Sequence, residues 1–401
     1  MEFISDNEVN KLKQIYLDYN STTPLDERVL EAMLPYLKTK FGNASSLHGF
    51  GREAKAGLEE AREKVAALLG VEPSEIYFTS GGTESDNMAL KGIAYNRQGK
   101  RNHIITSAIE HHAVLESAKF IEKSGLRVDY LGVDKEGFVS PASLREKIDD
   151  ETSIVSIMQA NNEVGTIQDI KSLARIAHDR GALFHTDAVQ AVGKIEVNIK
   201  ELDVDLLSLS AHKFYGPKGV GAMFLRKGIK ISPLSHGGHH EKGRRAGTEN
   251  VAGVVGLAAA LELAEKNREV EHQRLSSLAD FFIGAVQSRI EDVYLNGPRE
   301  NDRRVPSTVN LSFQAVEGES IILSLDMKGI GVASGSACTS GSLEASHVLM
   351  AMGIPPELAQ GSIRFSMGRF TTKDDLEYTV SVLPEIIERL RAMSPLYNKG
   401  K

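Results

Sequence analysis

Ser208-Leu209-Ser210-Ala211-His212-Lys213 closes an apolar run, Leu206–Ser210, and leads into Gly216-Pro217-Lys218-Gly219. A short apolar run bounded by Gly and Pro reads as a buried strand and its end. A lysine at a strand end is ordinarily just solvated. Here hydroxyls, an imidazole and glycines hem it in, a setting that suits an amine desolvated for Schiff-base chemistry.

Upstream of this run, further short apolar stretches suggest strands at Ile76–Thr79, His103–Thr106, Ser153–Gln159 and Leu183–Thr186, with another just downstream at Ala222–Leu225. Amphipathic stretches lie between them; in one, Leu58, Ala61, Val65, Leu68 and Leu69 recur at helical spacing. Strands alternating with helices predict an α/β fold, a largely parallel sheet with helices on both faces. After about residue 260 the pattern changes. A helix through Leu261–Glu265, a strand at Thr308–Phe313, a helix at Ser320–Asp326 and a last helix over Asp374–Met393, with Pro384 as a kink or break, suggest a smaller α+β unit. The expected division is a large domain over 21–261 and a small one from 1–20 and 262–401.

Composition narrows the function. The 401 residues are 41% apolar and 25% charged, enough chain for one large and one smaller core. A net charge of −7 gives no general attraction to nucleic acid or anionic lipid. No apolar run approaches the roughly 18 residues of a membrane helix. The polar, acidic start resembles neither a secretory signal nor a transit peptide, so a cytoplasmic protein is expected. The single cysteine, Cys338, excludes an intramolecular disulfide and a four-cysteine metal site within one chain.

Four strand ends carry chemistry. Ser80-Gly81-Gly82-Thr83-Glu84-Ser85 follows a strand, and its glycines let backbone N–H groups approach an anion. Asp187 ends an apolar strand, where a carboxylate needs a partner; it is either a helix cap or the partner of a pyridinium nitrogen. Asn162, in Gln159-Ala160-Asn161-Asn162-Glu163-Val164-Gly165, is either a turn residue or a donor to a ring oxygen or a carboxylate. Lys213 completes the set. In open α/β sheets the C-terminal strand edge is where ligands bind.

The order phosphate turn, Asp, Lys resembles the aspartate-aminotransferase-like enzymes that use pyridoxal 5′-phosphate. Further motifs, Asn43–His48, Glu110-His111, Asp187–Gln190, Arg245–Asn250, Ser334–Ser340 and Ser362–Ser366, extend the likeness over nearly the whole chain. It resembles a cysteine desulfurase of the NifS/IscS type, within the class V aminotransferase family. The resemblance implies that Lys213 bonds to the cofactor aldehyde, Asp187 pairs with the pyridine nitrogen, and Gln190 and Asn162 contact the phenolic side. It assigns His111 to the ring and to proton shuttling, and Gly82, Thr83, Ser210 and His212 to the phosphate. Thr248 is expected to reach the phosphate of the neighbouring subunit of a homodimer. The resemblance also assigns Arg364, with Asn162, to the substrate carboxylate, and implies that His48 lies in a loop lining the site.

The implied activity removes sulfur from L-cysteine, leaving L-alanine and a persulfide on Cys338, for iron–sulfur cluster assembly and other thio-cofactor or tRNA thiolation routes. No intrinsic metal is implied, although Cys338 could transiently share an iron–sulfur cluster with a scaffold protein. Four residues follow Tyr397, where many such proteins continue with a scaffold-docking tail, so the resemblance leaves the IscU-like partner open. The rivals are a selenocysteine lyase or another pyridoxal-phosphate β-lyase on the same scaffold, and a cofactor-binding regulator without turnover. The Gly/Ser-rich segment around Cys338 should, on this reading, let the thiol move between site and acceptor.

Overall fold

Twelve strands carry the fold of the computed structural model, which describes residues 13–335, 345–395 and 397. In chain order they are β1 (Ile15–Tyr16), β2 (Ile76–Thr79), β3 (His103–Ser107), β4 (Arg127–Leu131), β5 (Thr152–Ser156), β6 (Leu183–Asp187), β7 (Leu206–Ser210), β8 (Gly221–Leu225), β9 (Val293–Asn296), β10 (Thr308–Phe313), β11 (Ile330–Gly331) and β12 (Ser362–Ser366). Seven of them form one sheet in the order β2-β8-β7-β6-β5-β3-β4. The pairs from β4 through β7 are parallel, while β8 runs antiparallel to both β7 and β2. Two reversals restore direction, so β2 runs the same way as β7.

Every residue of β2, β3, β5, β7 and β8 is buried, as helices on both faces require. The edge strand β4 reads Arg-Val-Asp-Tyr-Leu and is half exposed, which is why no apolar run betrays it. Inside the sheet, polar side chains pair with one another. His185 Nδ1 lies 2.8 Å from Ser156 Oγ and its Nε2 lies 3.0 Å from Ser208 Oγ, a line across β5, β6 and β7. Such pairing is what makes buried polar groups tolerable.

A second sheet, β12-β10-β9, is antiparallel and backs onto its own apolar core, which includes Ile15, Leu17, Phe313, Phe365 and Leu383. The helix Val251–Arg289 joins the two cores: Val254 to Ala264 pack in the first, Ala279 to Val286 in the second. At 39 residues it is roughly 58 Å long. Residue 261, after which the boundary is expected, lies inside this helix. The last helix, Lys373–Met393, also runs through Pro384 without a break. Among the described residues no helix is long and apolar enough to cross a membrane.

Candidate active site

Because β2, β3, β5, β6 and β7 run the same way, the turns that follow them meet at one sheet edge. A cavity of about 360 Å³ opens there. Gly82 and Thr83 line it from the turn after β2, His111 from that after β3, Asn162 from that after β5, Asp187 from the end of β6 and Gln190 from the turn after it, and Ser210 from the end of β7 with His212 and Lys213 from the turn that follows. Arg364 of β12 and the segment Asn20–Ser21 close it from the side of the second core.

One end presents an uncapped helix start. The helix Gly82–Arg97 starts at Gly81 with no side-chain cap, so its first N–H groups are left for a ligand. A Cβ on Gly82 would sit 2.6 Å from Val189 Cγ2, so only glycine lets the turn come this close to β6's end. His212 stands beside it, Nδ1 3.2 Å from Thr22 Oγ1. Burial, then Lys213, pushes its pKa down to about 4, so it is neutral at pH 7.

Three buried carboxyls lie beneath. Asp187 Oδ1 accepts from Val189 N at 2.9 Å. Burial raises its pKa to about 6, against the pull of that N–H and of Lys213. Asp86 also lines the cavity and is 1% exposed, with Oδ1 lacking a hydrogen-bond partner. Burial, then the charge of Asp187, drives its pKa well above the carboxylate range. Glu110 accepts from Ser107 Oγ at 2.5 Å and Met158 N at 2.9 Å, and burial raises it to about 8. His111 caps the helix His112–Lys123, Nδ1 accepting from Ala113 N at 3.1 Å; burial, then Lys213, lowers its pKa to about 4.

The other end holds a buried guanidinium. Arg364 is 4% exposed and donates to Asp18 Oδ1 at 2.8 Å, Ser21 Oγ at 2.7 Å and the Asn162 carbonyl at 3.1 Å, while its Nε has no partner. Lys213 Nζ donates to the carbonyls of Asn20 at 2.5 Å and Ser21 at 2.8 Å. Asn20 is the hub: its Nδ2 donates to Thr308 Oγ1 and the Asn162 carbonyl, and its N to Ser366 Oγ.

The structure brings together Gly82, Thr83, His111, Asn162, Asp187, Gln190, Ser210, His212, Lys213 and Arg364. It does not bring His48 or Thr248 to this chain's own cavity. His48 is exposed and caps the helix Gly49–Leu69, its Nδ1 accepting from Gly51 N at 3.3 Å. Thr248 is exposed in a segment tied to the phosphate turn by the Arg245–Glu84 ion pair, Nε to Oε1 at 2.8 Å. Cys338 lies outside the described residues, though Gly335, three positions before it, lines the cavity. Sequence reasoning gave no role to Asn20, Asp86, Glu110 or Lys194. Asp86 and Lys194 each lie three or four residues past a recognised motif residue, the one local signal available.

The donor set suits a phosphorylated pyridine aldehyde: an uncapped helix end for the phosphate, a buried carboxylate for the ring nitrogen and a lysine for the aldehyde. Pyridoxal phosphate fits these residues. A family model described as aminotransferase class-V matches residues 15–379. A cysteine desulfurase IscS of Dictyoglomus turgidum is 58% identical over 389 residues, covering 97% of this chain and 98% of that protein. Another from Methanosarcina thermophila is 51% identical over 387 residues, covering 96% and 95%. Among solved structures, a NifS-like protein superposes with TM-score 0.88 at 41% identity, covering 94% of this chain and 100% of that one. A structure described as SspA in complex with cysteine gives 0.80 at 34% identity, covering 90% and 100%.

Proposed function

The chain belongs to the class-V aminotransferase family, and on that premise we propose that it is a pyridoxal-phosphate-dependent cysteine desulfurase, converting L-cysteine to L-alanine and enzyme-held sulfur. The observation that carries this reading is the single cavity faced by an uncapped helix end, Asp187, Lys213 and Arg364.

Bound pyridoxal phosphate supplies an aldehyde for the substrate amine and a conjugated ring that takes up the electron pair left at Cα. Gly82, Thr83, Ser210 and His212 would hold its phosphate, Asp187 its ring nitrogen, Gln190 and Asn162 its phenolic side, and Lys213 its aldehyde. A buried Asp187 anion is costly alone, and a protonated ring nitrogen offsets that cost. Arg364 receives the substrate carboxylate, its guanidinium fork matching two oxygens. The Lys213 amine, held against the Asn20 and Ser21 carbonyls, would take up and return the Cα proton. Neutral His111 has a ring nitrogen able to take and return a proton. The Cys338 thiolate attacks the substrate sulfur and the S–Cβ bond breaks. Its electron pair stays on Cβ, which takes a proton to become the methyl of alanine, and Cys338 keeps the sulfur as a persulfide.

With cofactor, L-cysteine and a thiol reductant, alanine and sulfide should appear in equal amounts. Pyruvate and ammonia instead would mark a β-eliminating lyase and end the desulfurase reading. Alanine from selenocysteine alone would mark the lyase rival. Sulfur acceptors complete the reading: a cytoplasmic iron–sulfur scaffold protein of the IscU kind, or carriers for thio-cofactors and tRNA thiolation.

The reading includes a homodimer. Leu37, Phe41, Leu47 and Phe50 are 57%, 68%, 91% and 58% exposed, with the Phe41 and Phe50 rings stacked at 5.7 Å. An apolar surface of this kind marks an interface. It adjoins the Thr248 segment, since Ala44 and Ser45 share a groove with His239 and Glu249. Thr248 would then serve the partner subunit's phosphate site. Thr248→Ala is expected to speed cofactor loss on dialysis about tenfold. Cofactor retention unchanged in that variant, or a wild-type monomer in sedimentation that holds cofactor normally, would remove this part.

A further inference from the structure

Lys194 stands four residues after Gln190, in the turns that follow β6, where Val192 N donates to the Ala188 carbonyl at 2.9 Å. It is partly buried and does not line the cavity. Its Nζ donates to Gln190 Oε1 at 2.5 Å and to Asn20 Oδ1 at 3.1 Å. Gln190 Nε2 in turn donates to the Asn20 carbonyl at 2.9 Å, the oxygen that also accepts from Lys213 Nζ.

We propose that Lys194 is a positioning residue: from behind the cavity wall it locks the Gln190 amide in the one orientation that presents an N–H to the cofactor's phenolic oxygen. The inference rests on the pyridoxal-phosphate reading above. An amide can be placed in two orientations, and the hydrogen-bond network decides between them. Flipping Gln190 would set its NH₂ against the Lys194 donor and its oxygen against the Asn20 carbonyl, two repulsive contacts in place of two bonds. In the observed orientation one N–H goes to Asn20 and the other is left for the cavity that Gln190 lines. Burial, then Lys213 and Arg364, pushes the Lys194 amine well below the usual lysine range. The lock survives this, because a lysine amine carries N–H donors in either protonation state. Lys194 thereby couples Gln190 to Asn20, and through the Asn20 carbonyl to Lys213.

A donor at the phenolic oxygen favours its deprotonated form, so losing that donor raises the pH at which the bound cofactor's visible band titrates. The test is that titration on holoenzyme, in wild type, Lys194→Met, Gln190→Ala and the double variant. Each single substitution should raise the midpoint by about one pH unit. The double variant should shift no further than Gln190→Ala alone, since a residue acting through Gln190 has nothing left to act on. A wild-type midpoint in Lys194→Met, or shifts that add in the double variant, would overturn the proposal. Should Met at 194 prevent folding, Lys194→Ala is titrated in its place and read the same way. A wild-type protein with no visible cofactor band would overturn the cofactor reading itself, a distinguishable failure.

Discussion

Cys338→Ala is expected to abolish sulfur release from cysteine, by roughly 10³-fold or more, while cofactor binding stays intact. Cys338 is the one cysteine of the chain, so a protein-bound persulfide can form nowhere else. Gly335, three positions before it in the sequence, lines the cavity. None of the residues that would hold the cofactor lies close to it in sequence, which is why binding should survive. The checks are visible absorbance, alanine and sulfide release, and mass spectrometry after a single turnover. Wild type should gain one sulfur atom on the peptide carrying Cys338. Full desulfuration by the variant, or the added sulfur on another peptide, would sink the assignment.

Lys213→Ala is expected to lower turnover by roughly 10⁴-fold and to remove the covalent bond between protein and cofactor. Lys213 lines the cavity, and its amine is aimed by two backbone carbonyls. Its rivals are poorly placed. Lys218 is exposed, Lys242 donates to the Ser74 carbonyl at 3.0 Å, and Lys194 is engaged by Gln190 and Asn20 without lining the cavity. Borohydride reduction of the holoenzyme followed by peptide mapping should mark Lys213. A mark on Lys194, Lys218 or Lys242, or a Lys213→Ala protein with ordinary turnover, contradicts the role.

The sequence by itself determined the strands whose burial is two-sided. Ile76–Thr79, Leu206–Ser210 and Thr308–Phe313 form with the bounds their apolar runs suggest, because a strand covered on both faces must be apolar throughout. It also picked out residues at strand ends that the fold brings to one cavity: Gly82, Asp187 and Lys213 are legible because each is an anomaly next to an apolar run. The partly exposed edge strands β4 and β9, covered along only part of their length, were missed. Only the tertiary structure decided that β8 runs antiparallel, so that the turn after β2 reaches the same edge as Lys213. It alone brought Arg364 to Asp18 and Ser21, and Asn20 to Thr308 across 288 residues. It alone set Lys194 behind Gln190 and left Asp86 buried with an unpartnered oxygen. Periodicity reports which side of a segment is covered; it carries no record of which distant segment covers it. Contacts between remote stretches form only when the whole chain packs, and so the hub around Asn20 could be read only from the fold.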